Sequence, residues 1–165
     1  QDIDGNNIVV INDIIFKGKR SINWKDVREY LKNYIGDFYT IASTGDIVYI
    51  GSDLPNEYSG SKYTHSIKGT NAKAKANAAT VIPELIQNAI NPVYEENKKE
   101  KHNKDAKNGW YRYDTRFAIP KYDNDGELAG YNVFKGRIVI RHAKDGKLYL
   151  YDVLRIKKET SKPLE

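Results

Sequence analysis

WYRYDTRFAI (residues 110–119) opens the part of the chain that decides the fold. YNVFKGRIVIRH (131–142) and KLYLYDVLRIK (147–157) follow it, and two kinds of side chain alternate along all three segments. The segments are separated by DNDG (123–126) and KDG (144–146), and such Asp/Asn-Gly sequences are typical of tight turns between antiparallel strands. The sequence therefore predicts three consecutive antiparallel strands.

The alternation gives each predicted strand a core face and an outer face, because successive side chains of a strand point to opposite sides. The predicted core face is apolar: Tyr111, Tyr113, Phe117, Ile119, Phe134, Ile138, Ile140, Leu148, Leu150, Leu154 and Ile156. The outer face is basic, rich in tyrosine and almost without acid: Arg112, Asp114, Arg116, Tyr131, Lys135, Arg137, Arg141, Tyr149, Tyr151, Arg155 and Lys157. Solvated sheet faces usually mix both signs of charge, so this face predicts a surface that meets phosphate groups and bases.

Length and composition set the broad class of the protein. A chain of 165 residues predicts a single domain over 1–165 with a core of its own. No apolar run approaches the roughly 20 residues that cross a bilayer, so we expect no membrane partner. The sequence contains no cysteine, which excludes disulfides and thiolate metal sites. The net charge of +5 favours an acidic partner.

The N-terminal portion, residues 1–54, predicts one helix and one hairpin. Asn23 is a suitable N-cap for a helix over 24–35, because its side chain can accept a hydrogen bond from the first helical turn. Phe38–Ala42 and Ile47–Ile50 flank a Ser-Thr-Gly-Asp turn and predict a β-hairpin. The first twenty residues predict a strand or a loose hairpin packed on the body.

The second portion, residues 55–160, predicts a helix followed by the three strands. Residues 53–70 are rich in Ser, Gly, Asn and Pro and predict a loop. Ala72–Ile90 predicts a helix that is kinked or restarted at Pro83, and residues 93–109 are too charged to belong to the core. The order predicts an α+β fold in which N-terminal helices pack on a C-terminal antiparallel β-sheet meander.

The chemistry of the outer face is suited to RNA cleavage without a metal. That reaction needs a base for the 2′-OH proton, cations for the charge on phosphorus and an acid for the leaving 5′-oxygen. Histidine suits the proton transfers and arginine suits the phosphate. His142 falls on the core side at a strand end, which favours a structural role, and His102 lies in a charged run, which favours simple solvation. His65, just ahead of the predicted helix, is the remaining histidine candidate, with a solvated loop position as its alternative.

No metal or cofactor site is predicted. DNDGE (123–127) is similar to a calcium loop but lacks the further ligands and the distant glutamate, so a turn is the better interpretation. Phosphate-binding glycine motifs and a serine nucleophile motif are absent from the sequence. Any catalysis is therefore expected to depend on side chains alone.

Four segments carry a resemblance to a known group: SKYT (61–64), KAKANAA (73–79), GWYRY (109–113) and YLYDVLRIKKE (149–159). Their order resembles the phage- and mobile-element-borne domains of the barnase–EndoU–colicin E5/D–RelE nuclease superfamily. The resemblance implies helices followed by a four-stranded antiparallel sheet that acts as a metal-independent ribonuclease. It also implies a toxin or effector end of a longer phage or secreted protein, a cytoplasmic site of action, and an immunity or antitoxin protein as partner.

Together the residues and the resemblance predict a metal-independent endoribonuclease. The predicted catalytic residues are His65, Lys135, Arg137 and Tyr151. The predicted RNA-binding residues are Arg112, Arg116, Arg141, Tyr149, Arg155 and Lys157. Two alternatives remain open: a non-catalytic nucleic-acid-binding accessory domain, and a protein-interaction module of a mobile element that uses the tyrosine-rich face as its contact surface.

Overall fold

The computed structural model describes residues 1, 5–18, 21–99 and 106–159. Within these ranges the chain is an α+β fold in which helices pack on a mixed, curled, seven-stranded sheet. In chain order the elements are β1 (Val9–Val10), α1 (Trp24–Leu31), β2 (Phe38–Thr40), β3 (Ile47–Tyr49), α2 (Leu54–Gly60), α3 (Lys62–Ser66), α4 (Gly69–Ala78), α5 (Ile82–Gln87), β4 (Ile90–Glu95), β5 (Trp110–Tyr122), β6 (Leu128–His142) and β7 (Leu148–Lys158).

The sheet has the strand order β1-β5-β6-β7-β3-β2, and β4 also pairs with β5. The predicted antiparallel pairing of β5 with β6 and of β6 with β7 is confirmed. The prediction of a purely antiparallel meander after the helices is wrong, because β1 pairs with β5 and β3 pairs with β7 in parallel. Parallel neighbours need a long connection, and the helices between β3 and β7 are part of that connection.

The predicted core face is buried along most of its length. Phe117 and Phe134 lie opposite each other on β5 and β6, and their rings stack with centroids 5.5 Å apart. Ile138 and Leu150 are fully buried beside them. The alternation therefore assigns β5, β6 and the first part of β7 correctly, because a strand buried on one side alternates apolar and polar side chains.

The alternation fails at residues 152–154 of β7, whereas Ile156 beyond them is buried as predicted. The register between β6 and β7 shifts twice, so Asp152 and Val153 are both buried, which strict alternation forbids. Leu154 lies opposite Arg137 and is only half-buried, so its predicted place in the core is wrong. One extra residue in a strand reverses the faces of the residues that follow it, and a second extra residue restores them.

The helices follow the prediction in part. Asn23 caps α1 by accepting a hydrogen bond from the Lys25 N–H at 3.2 Å, and a 3₁₀ turn continues the helix to Tyr34. The predicted restart at Pro83 is confirmed, since α5 has a proline in its first turn. No helix in the described ranges is long and apolar enough to cross a membrane.

The prediction of a loop at residues 53–70 is wrong, because α2 and α3 occupy most of that segment. Tyr58 anchors α2: it is fully buried, and its hydroxyl donates a hydrogen bond to the Lys75 carbonyl at 2.5 Å. Ser61 caps α3 by accepting a hydrogen bond from the Thr64 N–H at 3.1 Å. Tertiary contacts and capping thus stabilise two short helices that composition alone does not predict.

The helix predicted over residues 72–90 ends before residue 90, because α5 stops at Gln87. Asn91 lies in the left-handed region, with φ 58°, and the chain leaves the helix to form β4, which pairs with β5 at an edge of the sheet. This strand was not predicted. Residues 100–105, which include the predicted solvated His102, lie outside the described part of the chain.

Gly109 lies directly before β5, and we expect Gly109→Ala to destabilise the fold. Its φ is +99°, and an added Cβ would lie 2.6 Å from the Glu95 carbonyl oxygen and 2.7 Å from the Tyr94 ring. We expect the free energy of unfolding in urea to fall by roughly 3 kcal/mol, about half from the left-handed backbone and the rest from the clash.

Gly126→Ala is the matched control for this substitution. Gly126 also has positive φ, +78°, but no heavy atom lies within 4 Å of its added Cβ. We expect only the backbone penalty there, of roughly 1 kcal/mol. Equal destabilisation of the two variants would contradict a steric role for Gly109.

Candidate nucleic-acid interface

The outer face of β5, β6 and β7 forms a cleft of about 500 Å³. Five cations and two carboxylates line it: Arg116, Lys135, Arg137, Arg155, Lys157, Asp114 and Glu159. We call this set the basic cleft. Neighbouring strands place these side chains next to one another: Arg116 lies opposite Lys135, and Lys135 lies opposite Lys157. The strand pairing therefore brings together residues that are far apart in the sequence.

The two arginines of β5 and β6 in the basic cleft are partly neutralised. Arg116 donates from Nε to the Glu159 Oε1 at 2.8 Å and makes a second hydrogen bond to the same carboxylate. The Arg137 Nε lies 3.8 Å from the Asp114 Oδ1. All four side chains remain partly exposed, so water screens these pairs and they contribute little to stability.

Lys135, Arg155 and Lys157 differ from these arginines. All three are exposed, and none of them forms an ion pair with another residue of the described ranges. Lys135 and Lys157 lie directly opposite each other, and like charges in that position destabilise a sheet. An anion bound between them would relieve this repulsion.

Arg155 has a strained backbone conformation at this place. Its φ of 52° lies in the left-handed region, which residues other than glycine adopt at a cost of roughly 1–2 kcal/mol. The next residue, Ile156, is held in place because its N–H donates a hydrogen bond to the Tyr63 hydroxyl at 2.7 Å. Strain that is maintained by surrounding contacts is characteristic of functional sites.

At the other end of the outer face, Arg141 and Arg112 form ion pairs with carboxylates of the same chain. The Arg141 Nε lies 3.2 Å from the Asp53 Oδ2, its guanidinium lies 4.2 Å from the centre of the Tyr149 ring, and its side chain is only 12% exposed. The Arg112 Nε lies 3.2 Å from the Glu95 Oε1.

The prediction that the outer face carries almost no acid is therefore wrong. Asp53, Glu95 and Glu159 bring carboxylates to it from other parts of the chain. Alternation within a strand cannot predict these partners, because they come from a loop, an edge strand and the residue that follows β7.

The predicted tyrosines also lie outside the basic cleft. The Tyr151 ring contacts the Trp110 ring with centroids 4.9 Å apart. The Tyr149 hydroxyl donates a hydrogen bond to the Asp145 Oδ2 at 2.7 Å, which raises the pKa of Tyr149. Of the predicted catalytic residues, the structure brings Lys135 and Arg137 together and separates Tyr151 from them.

His65 lies in α3 and lines a second cleft, of about 760 Å³. Trp24 and Phe134 line the same cleft, and Phe134 belongs to the core face of the sheet. His65 and the basic cleft thus occupy different places. His142, at the end of β6, has its Nε2 3.2 Å from the Gly146 carbonyl oxygen, as expected for a structural histidine at a turn.

The sequence did not predict a buried ion pair between Lys75 in α4 and Asp152 in β7. The Lys75 Nζ lies 2.7 Å from the Asp152 Oδ1 and 2.7 Å from the Thr64 Oγ1, and both charged side chains are at most 1% exposed. The Nζ also lies 4.6 Å and 5.0 Å from the ring centres of Tyr58 and Tyr63. We call these five residues the Lys75 cluster.

Burial dominates the electrostatics of the Lys75 cluster. It raises the pKa of Asp152 to about 6 and lowers the pKa of Lys75. The Asp152 Oδ2 has no hydrogen-bond partner among the described residues. One sequence feature could have indicated the burial: Ala74 and Ala76 flank Lys75, and alanine is among the residues that are most often fully buried.

No protein-family model matches the chain, and no curated protein matches it. The resemblance to the barnase–EndoU–colicin E5/D–RelE superfamily therefore stays a prediction. In the part of the chain that the structure describes, no three His, Asp or Glu side chains form a group that could hold a metal ion.

Proposed function

We propose that this domain binds single-stranded RNA on its outer face, with the basic cleft holding the phosphate backbone. One observation carries the proposal: Lys135, Arg155 and Lys157 are exposed side by side, without a carboxylate partner among the described residues. Folding gains nothing from placing like charges together, whereas a polyanion gains from each of them through release of its counterions.

The width of the basic cleft favours a chain of phosphates over a single small anion. Its cations come from three neighbouring strands, which span about 10 Å across the sheet. Tyrosine and tryptophan rings lie on the same outer face, and unpaired bases stack on such rings. The double helix would keep its bases away from these rings, so an unpaired strand is the better ligand.

Salt dependence tests this proposal directly. In Lys135→Ala/Lys157→Ala, we expect the slope of log K against log salt for a single-stranded RNA to flatten by about 1.4, or 0.7 for each phosphate that the variant no longer neutralises. Lys121→Ala/Lys144→Ala removes the same charge from two exposed lysines outside the cleft and serves as the control. Fluorescence anisotropy over a salt series measures both slopes. Equal slopes for the two double variants would contradict the proposal.

A second function, RNA cleavage in the same cleft, is favoured by Glu159. Its carboxylate lines the cleft together with the exposed cations and can accept the 2′-OH proton as the 2′-oxygen attacks phosphorus. Arg137 and Lys157 would hold the charge that develops on the phosphate oxygens. The bond to the 5′-oxygen then breaks, and the Lys135 ammonium supplies the proton, leaving a 2′,3′-cyclic phosphate and a 5′-hydroxyl.

Incubation with total RNA and with a 2′-deoxy oligonucleotide distinguishes this enzyme from a simple binding domain. Cleavage of RNA alone, with unchanged rate in EDTA and a 2′,3′-cyclic phosphate product, is the expected result. If RNA is bound but remains intact over a wide pH range, the result would support the binding function and contradict the nuclease function.

A further inference from the structure

A row of aromatic side chains crosses the outer face where β2, β3 and β7 lie side by side. Strand register aligns Phe38 with Tyr49 and Tyr49 with Tyr149. The ring centroids are 5.8 Å and 6.0 Å apart. We call these three residues the aromatic row. The hairpin that supplies two of them was predicted, but its place beside β7 depends on a parallel pairing that the sequence does not reveal.

The aromatic row is accessible and is accompanied by cations. Phe38 is 59% exposed, which is the highest exposure among the large hydrophobic side chains of the described residues. The Lys147 Nζ lies 5.0 Å from the centre of the Tyr49 ring. The hydrogen bond from Tyr149 to Asp145 fixes the orientation of the third ring. Fixed rings next to positive charge are suited to stacking with bases that carry phosphates.

The aromatic row is continuous with the basic cleft. Tyr149 lies opposite Arg141, and Arg141 is four residues from Arg137 of the cleft on the same face of β6. Four residues of an extended strand span about 13 Å. A single strand a few nucleotides long can therefore contact both surfaces at once.

We infer that the aromatic row is the subsite on which the unpaired bases stack when the phosphates of the same strand occupy the basic cleft. This inference rests on the proposed RNA binding. It assigns a binding site to the bases, which the basic cleft does not recognise. Any base has a ring face, so the subsite selects unpaired nucleic acid without selecting a base sequence. The neighbouring Lys147 favours this ligand over an apolar protein surface.

Phe38→Leu and Tyr49→Leu test the inference with an octanucleotide of uridine. Each substitution removes a ring from the surface, and we expect about a fivefold loss of affinity for each. The slope of log K against log salt should stay that of the wild type, because every phosphate contact remains. Phe38→Tyr and Tyr49→Phe keep the rings and should keep the affinity. Tyr122→Leu, at an exposed ring on the β5–β6 hairpin, is the control and should have no effect.

An octanucleotide without bases completes the test, since it presents the same phosphates. Wild type and Phe38→Leu should bind it equally. The inference would be overturned if both leucine variants bound the uridine octamer as the wild type does, while Lys135→Ala/Lys157→Ala still flattened the salt slope. That result would favour a protein as the partner of the aromatic row. An equal loss in Tyr122→Leu would also overturn it. Failure of the wild type to bind any octamer would instead refute RNA binding itself.

Discussion

Lys75→Met should lower the free energy of unfolding by about 3–5 kcal/mol, the usual cost of removing one partner of a buried ion pair. The substitution leaves the Asp152 carboxylate in the interior without its cation, and the Thr64 hydroxyl loses a donor. The other carboxylate oxygen of Asp152 already lacks a hydrogen-bond partner among the described residues, so it cannot offset the change. Urea unfolding followed by circular dichroism measures the destabilisation.

Lys32→Met is the matched control, because Lys32 forms a pair with Glu29 at a similar distance, 2.8 Å, with both side chains about half exposed. Water screens that pair, and we expect a change within about 0.5 kcal/mol. Adding Asp152→Asn to Lys75→Met should recover most of the stability, because no buried charge remains. Destabilisation by Lys75→Met no larger than that by Lys32→Met would contradict the role of the Lys75 cluster.

The destabilisation by Lys75→Met should also depend on pH. Burial raises the pKa of Asp152 above its ordinary value of 3.8, to about 6 with Lys75 present, and removal of the cation can only raise it further. Between the unfolded and folded pKa values the folded protein binds more protons, so its stability falls as the pH rises. The variant should therefore be less destabilised at pH 5 than at pH 8. A greater destabilisation at pH 5 would contradict this sign.

Glu159→Gln has the largest effect expected on activity. If the basic cleft cleaves RNA, the rate of 2′,3′-cyclic phosphate formation should fall by about 100- to 10,000-fold, the usual contribution of a proton-transfer residue. The affinity for RNA should be equal or higher, because the change removes a negative charge from the cleft and releases Arg116 from its ion pair with Glu159. Single-turnover cleavage and anisotropy measure the two quantities separately.

Two variants make the Glu159 result specific. Glu127→Gln makes the same chemical change at an exposed turn between β5 and β6 and should leave the rate unchanged. His65→Ala should also leave it unchanged, since His65 lines the other cleft. Loss of cleavage in His65→Ala, with full activity in Glu159→Gln, would refute the assignment to the carboxylate and favour the histidine.

Local patterns in the sequence were sufficient for the elements that are defined by their own residues. Alternation over residues 110–119 and 131–142 predicted β5 and β6, with the basic and core faces on the correct sides. The Asn23 cap and the turn after Thr40 predicted α1 and the β2–β3 hairpin in the same way. These properties depend on neighbours within a few residues, where strand and helix periodicity act directly.

The tertiary structure alone decided which charges are paired. Arg116 pairs with Glu159 across 43 residues, Arg141 with Asp53 across 88, and Lys75 with Asp152 across 77. No periodic pattern connects residues so far apart, and a register shift in β7 changes which side chains reach the core. The sequence therefore determined a basic strand face, while the packing of distant segments decided that Lys135, Arg155 and Lys157 are its exposed cations without an ion-pair partner among the described residues.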